Sequence, residues 1–258
     1  MRAEYDPWAQ DGPAAVRSGA AHAQAAAPEV EDPRLARYRF AVTHVVGRKV
    51  VDIGCGDGSG TAMLAAAGAR DVVGMDAPAP SFAEAGRRVV LPNLRFEPVT
   101  GETLPMADRS ADVAVCLDVL DQIARPEVLV RELRRILLPG GTVIVSITNR
   151  RQAAGGVLGR LYHQTSAPAG MSEAELRALL DPYFGRLQLF GQSYRRAVSP
   201  SFELLRSRQR AAPLRFLSQS LFSALSTQPT AERLQEGWVF VPGDTATAVS
   251  LVAVAIAE

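Results

Sequence analysis

Apolar positions along the middle of this chain come in two rhythms. Short, mostly apolar runs predict strands at Val50-Val51-Asp52-Ile53, Val72-Val73-Gly74-Met75, Leu94-Arg95-Phe96, Val113-Ala114-Val115-Cys116 and Thr142 to Ile147. The stretches between them carry helical spacing. Asp32-Pro33 supplies an N-cap and a first-turn proline for a helix with Leu35, Tyr38, Val42 and Val45 on its apolar side, and Gly47 follows its end. A second helix starts near Ser59 and closes at Gly68, a third covers Ser81 to Val90, and a fourth covers Pro126 to Leu137 with Leu129, Leu133, Ile136 and Leu137 on one face. Pro139-Gly140-Gly141 reads as a turn. Alternation of strand and helix predicts an α/β fold with a parallel sheet and a ligand at the carboxyl ends of its strands.

The second half is less regular. Residues 150–171 mix glycine, proline and polar residues and read as a lid loop. Ser172-Glu173-Ala174-Glu175 is a capping box that opens a helix with Leu176, Leu179 and Leu180. Leu187 to Phe190 predicts a sixth strand and Thr247 to Ile256 a seventh. Between them, about 193–245 holds Phe202, Leu205, Phe216, Leu217, Leu221, Phe222 and Leu225, which predict a helical insertion, since a structureless loop of that length is unusual in a compact domain. Residues 1–31 show no clear period and read as an N-terminal arm or lid ahead of one domain over 32–258.

Composition narrows the classes. The chain of 258 residues is 47% hydrophobic, enough for a full core, and its formal net charge of +1 argues against a dominant nucleic-acid footprint. Cys55 and Cys116 lie at strand ends without metal-ligand spacing and read as reduced thiols, so no metal is expected. No apolar signal core opens the chain, and its longest apolar run, about ten residues, is too short to span a bilayer. A cytoplasmic protein is the expectation.

The candidate chemistry centres on Asp52-Ile53-Gly54-Cys55-Gly56-Asp57-Gly58-Ser59-Gly60, a glycine-rich turn between a strand and a helix start. The dinucleotide pattern G-x-G-x-x-G fails here: the sixth position is Ser59 counted from Gly54 and Thr61 counted from Gly56. A carboxylate at Asp52 would repel a pyrophosphate and attract an ammonium or sulfonium. Asp76, at the tip of the second strand, can accept two hydrogen bonds from a ribose diol.

This pair of acids around a glycine loop resembles motif I of the class I S-adenosylmethionine-dependent methyltransferases. Three further blocks extend the resemblance to the type-11 group over residues 34 to roughly 192: Arg34-Leu35-Ala36-Arg37-Tyr38-Arg39-Phe40; Phe96 to Asp112 with Leu104-Pro105-Met106-Ala107-Asp108 inside it; and Leu133-Arg134-Arg135-Ile136-Leu137-Leu138-Pro139-Gly140-Gly141. The resemblance implies a Rossmann-like, seven-stranded, mostly parallel sheet with an antiparallel last strand, and S-adenosyl-L-methionine as cofactor. It implies that Asp52 biases the site toward the methionine ammonium, that Gly54, Cys55 and Gly56 let backbone approach that moiety, and that Asp76, with Ala77 beside it, takes the ribose. Gly101 and Glu102 would meet adenine, and Cys116 and Leu117 the methionine end. Arg37 reads either as the partner of the methionine carboxylate or as a solvated helix residue.

The sequence also departs from the family. Thr100 stands where relatives often carry aspartate, Asp121-Gln122 stands where they carry an acid and histidine, and Ala167 to Met171 lacks the histidine and glutamate of a block just before Ser172. For transfer to oxygen a general base is needed, and Asp118 and His163 are the candidates, with Asp121, Asn149 and Tyr162 near them. Asp118 reads equally as a helix-capping or solvent-facing carboxylate.

The first functional reading is an O-methyltransferase acting on a small molecule, sugar or glycoconjugate, with a protein partner or homodimer allowed. The second is a non-catalytic methyltransferase-like subunit assisting a partner enzyme. The third is an anionic-ligand binder, of nucleic acid or a lipid surface, using the arginines of residues 195–215, although these read more readily as a solvated basic helix face.

Overall fold

The computed structural model describes residues 32–153, 170–195 and 237–258. Lys49–Ile53 (β1), Asp71–Asp76 (β2), Leu94–Pro98 (β3), Ala111–Leu117 (β4) and Leu137–Thr148 (β5) are parallel strands joined through Ser59–Ala66 (α2), Pro80–Arg88 (α3) and Pro126–Ile136 (α4), with Pro33–Ala41 (α1) ahead of β1. Arg150–Ala153 (α5) and Glu173–Leu180 (α6) follow, then Phe184–Arg195 (β6), Gly237–Pro242 (β7) and Ser250–Ala257 (β8). The strand order is β3-β2-β1-β4-β5-β8-β6-β7, and β8 runs antiparallel to both β5 and β6. The sheet is therefore mostly parallel with an antiparallel last strand, and β6 points the same way as β5, so its carboxyl end lies on the ligand side.

Three expectations are corrected. The described sheet has eight strands, not seven. The additional one, β7, falls inside the stretch expected to be helical, where the run Trp238-Val239-Phe240-Val241 between Gly237 and Pro242 has strand chemistry. Arg150–Ala153 is a helical turn at the head of the expected lid loop, and Pro139-Gly140-Gly141 lies within the bounds of β5 rather than ending it. The arm at 1–31, the lid body at 154–169 and the insertion at 196–236 lie outside the described residues. The described residues divide between two compact units, one reaching Ser193 and resuming with Phe240–Glu258, the other Tyr194–Val239. In the second, Tyr194 and Trp238 meet edge to face at 5.2 Å.

Strand alternation sorts side chains into two layers. Val50, Val72, Val113, Val115, Leu117 and Ile144 pack with Tyr38, Ala41 and Leu64 under α1 and α2. Val51, Ile53, Val73, Met75, Ala114, Cys116, Val143 and Val145 pack with Leu129, Leu133, Leu176 and Leu180 under α4 and α6. The α4 face of Leu129, Val130, Leu133 and Ile136 is buried, each side chain contributing about 1.5–3 kcal/mol of transfer free energy. The capping box at α6 is complete: Glu175 N–H donates to Ser172 Oγ, and Ser172 N–H donates to Glu175 Oε2. Among the described residues no helix is long and apolar enough to cross a membrane.

Candidate functional site

The site forms where β1, β2 and β4 end. At Gly54 the chain turns with φ +76°, and its N–H and that of Cys55 both donate to Met75 O, fixing the loop to β2. A Cβ at Gly54 would overlap Val119 Cγ2, so the loop lies against the segment after β4 with no room for a side chain. Cys55 is buried, and its carbonyl accepts from Gly58 N–H at 3.0 Å. Burial raises its thiol pKa, as it does that of Cys116, which faces the α4 layer. Gly56 is the open position, where an added Cβ would meet only Arg34 Nη1 at 3.5 Å.

Asp52 is placed by parity. It shares a face with Val50, so its carboxylate turns under α1 and α2 instead of out of the sheet end. Fully buried, it accepts from Thr61 Oγ1 at 2.6 Å and from Tyr38 Oη at 3.1 and 3.2 Å. Burial pushes its pKa up to about 7 against the pull of those two hydroxyls. Within this geometry Asp52 clamps α1 and α2 onto β1.

Asp76 sits at the tip of β2, half-buried. Its Oδ2 accepts from Gly56 N–H at 2.6 Å and its Oδ1 from Ala77 N–H at 2.7 Å. Burial raises its pKa and the two N–H groups oppose the rise. Asp57 Oδ1 accepts from Ser59 N–H at 3.1 Å at the start of α2. The loop after β3 is pinned to α4: Leu104 N–H donates to Glu132 Oε2 at 2.8 Å, and Arg135 donates to the carbonyls of Met106 and Leu104 at 2.8 and 3.1 Å and to Asp108 and Glu132. A Cβ at Gly101 would meet nothing within 4 Å, and Glu102 pairs with Arg125 at 2.6 Å.

Arg37, one reading of which placed it at the methionine carboxylate, and Asp118, a candidate base, meet in one polar cluster. Arg37, 5% exposed, pairs through Nη2 with Asp118 Oδ2. Its Nη1 donates to Gln192 Oε1 at 2.6 Å and to Ser250 Oγ at 3.3 Å. Asp118 follows Leu117 at the end of β4 with a left-handed φ of +57°, which breaks strand alternation. Its N–H donates to the Ser146 carbonyl, its Oδ1 accepts from Ser146 Oγ at 2.9 Å, and its carbonyl accepts from Gln122 Nε2. Arg37 is thus neither solvated nor free, and Asp118 is not solvent-facing. Asp121 is buried, with Oδ2 accepting from Thr148 N–H at 2.9 Å and its pKa raised by burial. Asn149 Nδ2 donates to the Thr245 and Ala248 carbonyls, which gives it a bracing position. Tyr162 and His163 lie outside the described residues.

Gln192, Ser250 and Ser146 were not singled out from the sequence. For Ser146 and Ser250 the available signal was a polar residue at the ligand-side end of an apolar run; β6 is itself mixed and gave no such signal for Gln192. Tyr38 and Thr61 were read as helix residues only, and their link to Asp52 depends on helix packing.

The type-11 family model described as Methyltransferase domain matches residues 51–145. A ubiquinone biosynthesis O-methyltransferase of Paraburkholderia phymatum is 31% identical over 132 residues, 49% of this chain and 56% of that protein. The chain spans about half the length of the curated relatives it matches. Among solved structures, a Thermotoga maritima S-adenosylmethionine-dependent methyltransferase, described as a possible histamine N-methyltransferase, superposes with a TM-score of 0.58 at 20% identity, covering 87% of this chain and 89% of that one. A chain of the Haloferax volcanii complex that contains the Trm112 methyltransferase activator does so with a TM-score of 0.56 at 18% identity, covering 88% and 90%. Residues 51–145 therefore resemble a methyltransferase domain of the type-11 group, and the fold is the Rossmann-like one of these solved structures.

Proposed function

We propose that this chain transfers a methyl group from S-adenosylmethionine to an oxygen of a small molecule. One observation carries the reading: the glycine-loop end of the sheet is acidic and its donors are taken. The N–H groups of Gly56 and Ser59, which a pyrophosphate would need, are held by Asp76 and Asp57. Such a surface suits a ribose diol and a cationic amino-acid end and does not suit a dinucleotide phosphate. When bound, S-adenosylmethionine supplies an electrophilic methyl on a sulfonium.

The chain's own residues would hold and orient it. Asp76 would receive the ribose, Gly101 and Glu102 would border adenine, Gly54 to Gly56 with Cys116 and Leu117 would face the methionine end through main chain, and Arg37 would take the carboxylate. The domain's contribution to rate is positioning and exclusion of water, with Asp118 the carboxylate best placed to accept a proton from an acceptor hydroxyl. Oxygen as the acceptor atom follows the ubiquinone biosynthesis O-methyltransferase relatives; sugar and glycoconjugate acceptors belong in the same screen.

Calorimetric titration with S-adenosylmethionine, followed by a mass-shift screen of phenolic, alcohol and sugar acceptors, tests this. Binding near the micromolar range is expected, about 7–8 kcal/mol, with a gain of one methyl on an oxygen. Asp76→Ala should weaken binding by about 1.5–3 kcal/mol. Preferential binding of NAD, or unchanged affinity in that variant, would remove the basis of the assignment.

A further inference from the structure

We propose that Asp118 is an internal competitor for the carboxylate seat on Arg37, so that an amino-acid-bearing ligand and the Asp118 side chain exclude each other on one guanidinium. This rests on the reading that Arg37 receives the cofactor carboxylate.

The geometry of the guanidinium carries it. One nitrogen, Nη1, is committed to Gln192 Oε1 and Ser250 Oγ, and Gln192 is itself fixed by donating Nε2 to the Pro33 carbonyl at 2.8 Å. The head group therefore cannot swing to serve two carboxylates. Its other edge, Nε with Nη2, is the one that receives a carboxylate through two parallel hydrogen bonds. Asp118 uses half of that edge: Oδ2 meets Nη2, while Oδ1 is turned away onto Ser146 Oγ. Arg37 Nε is buried and, among the described residues, meets no hydrogen-bond partner. A buried donor left unmade is costly, and a free carboxylate taking both Nε and Nη2 would satisfy it where Asp118 does not.

Asp118 cannot easily improve its own grip. Its backbone is held left-handed by the bonds of its N–H to Ser146 and of its carbonyl to Gln122. A second carboxylate brought to the same edge would also face like-charge repulsion in a poorly solvated place. The ligand's carboxylate thus enters as Asp118 leaves. The consequence concerns the acceptor: a carboxylate whose oxygens are taken by Arg37 and Ser146 has none free for an acceptor hydroxyl, and the one released at the end of β4 has one. Occupancy of the cofactor site would in this way switch on the base.

The test uses the full chain and two ligands, S-adenosylhomocysteine, which has the amino-acid end, and methylthioadenosine, which lacks it. Affinities are measured by calorimetry for wild type and Asp118→Asn; asparagine tolerates the left-handed backbone and keeps an acceptor for Ser146. Asp118→Asn should bind S-adenosylhomocysteine about three- to thirtyfold tighter, with methylthioadenosine affinity changed by less than about twofold. The gain should vanish in an Arg37→Gln background. Asp118→Gly, unstrained at the same φ, gives a second variant judged by the same ratio of affinities. If the ratio stays level or falls in both variants while wild type binds both ligands, Asp118 is a brace or an ammonium partner and the competition is overturned, with the cofactor site intact. If wild type binds neither ligand, the cofactor reading fails and takes this inference with it.

Discussion

Replacing Asp52 by asparagine should flatten the dependence of stability on pH across the neutral range. The carboxylate is fully buried and its folded pKa is raised to about 7, chiefly by desolvation, with Asp76 adding to the rise and the Thr61 and Tyr38 hydroxyls and Arg34 opposing it. In the unfolded chain an aspartate titrates near 3.9. Between those values the folded state keeps a proton that the unfolded state has released, so stability falls as pH rises. The contribution is full below about pH 4, is lost progressively up to about pH 7, and is constant above. Three units at about 1.36 kcal/mol each make this about 4 kcal/mol in total, of which about 2–3 kcal/mol falls between about pH 5 and about pH 8.

Other groups titrate too. Burial raises Asp76 and Asp121 with the same sign, whereas the lowered values of Glu132, Glu173, Glu175 and Asp244 add stability as pH rises above them. These remain in the variant, so the difference between the two curves reports Asp52 together with its coupling to Asp76. Asparagine keeps an oxygen for Thr61 and can turn its amide toward Tyr38 Oη. Urea unfolding at a series of pH values provides the curves. Parallel wild-type and variant curves would show that Asp52 is not the buried titrating group.

Three further outcomes are expected. Gly60→Ala places a Cβ into the Tyr38 ring and should cost about 1–3 kcal/mol by denaturant unfolding, because the ring is also held by Asp52. Arg135→Ala frees the Leu104–Asp108 loop from α4 and should cost about 1.5–3 kcal/mol, with faster hydrogen exchange at Leu104 and Met106; unchanged exchange would mean the loop is held by its apolar contacts alone. Ser172→Ala removes one half of the capping box and should cost about 0.5–2 kcal/mol of thermal stability, while the conservative Ser172→Thr should recover most of it.

The fold was legible because hydrophobic period and turn chemistry agreed over residues 32–148. Asp32, Pro33 and the Ser59 helix start stand where the sequence put them, with Asp32 Oδ1 accepting from Arg34 N–H. Beyond Thr148 the signals conflicted. Trp238 to Val241 has strand chemistry, but it was read as part of one long interval between two stronger strands, so β7 was absorbed into an expected insertion. The order of the last strands, with β8 between β5 and β6, is a choice among sheet topologies that local pattern does not encode; the family resemblance implied only that the last strand is antiparallel.

The site was legible as a set of positions, less so as a set of contacts. Parity along β1 would have predicted that Asp52 faces the same layer as Val50, away from the sheet end, and so that its partners come from helices. No such rule reaches the pairing of Arg37 with Asp118, residues separated by 81 positions and joined only because α1 crosses the ends of β4, β6 and β8. The glycines show the same division. Four at alternate positions read as one ligand cradle, yet a Cβ at Gly54 would overlap Val119, one at Gly58 would come within 2.7 Å of Phe96, and one at Gly60 would overlap Tyr38. Three of the four therefore admit neighbouring side chains that anchor the loop to β3, α1 and the segment after β4. Only Gly56 opens toward the space where a ligand would lie, and its N–H is bound to Asp76, the residue assigned to the ribose. A ligand hydroxyl approaching Asp76 therefore meets a carboxylate already oriented by the loop backbone. On this account the glycine motif acts mainly by fixing Asp76 in place, and its spacing reflects the packing of one loop on three neighbours.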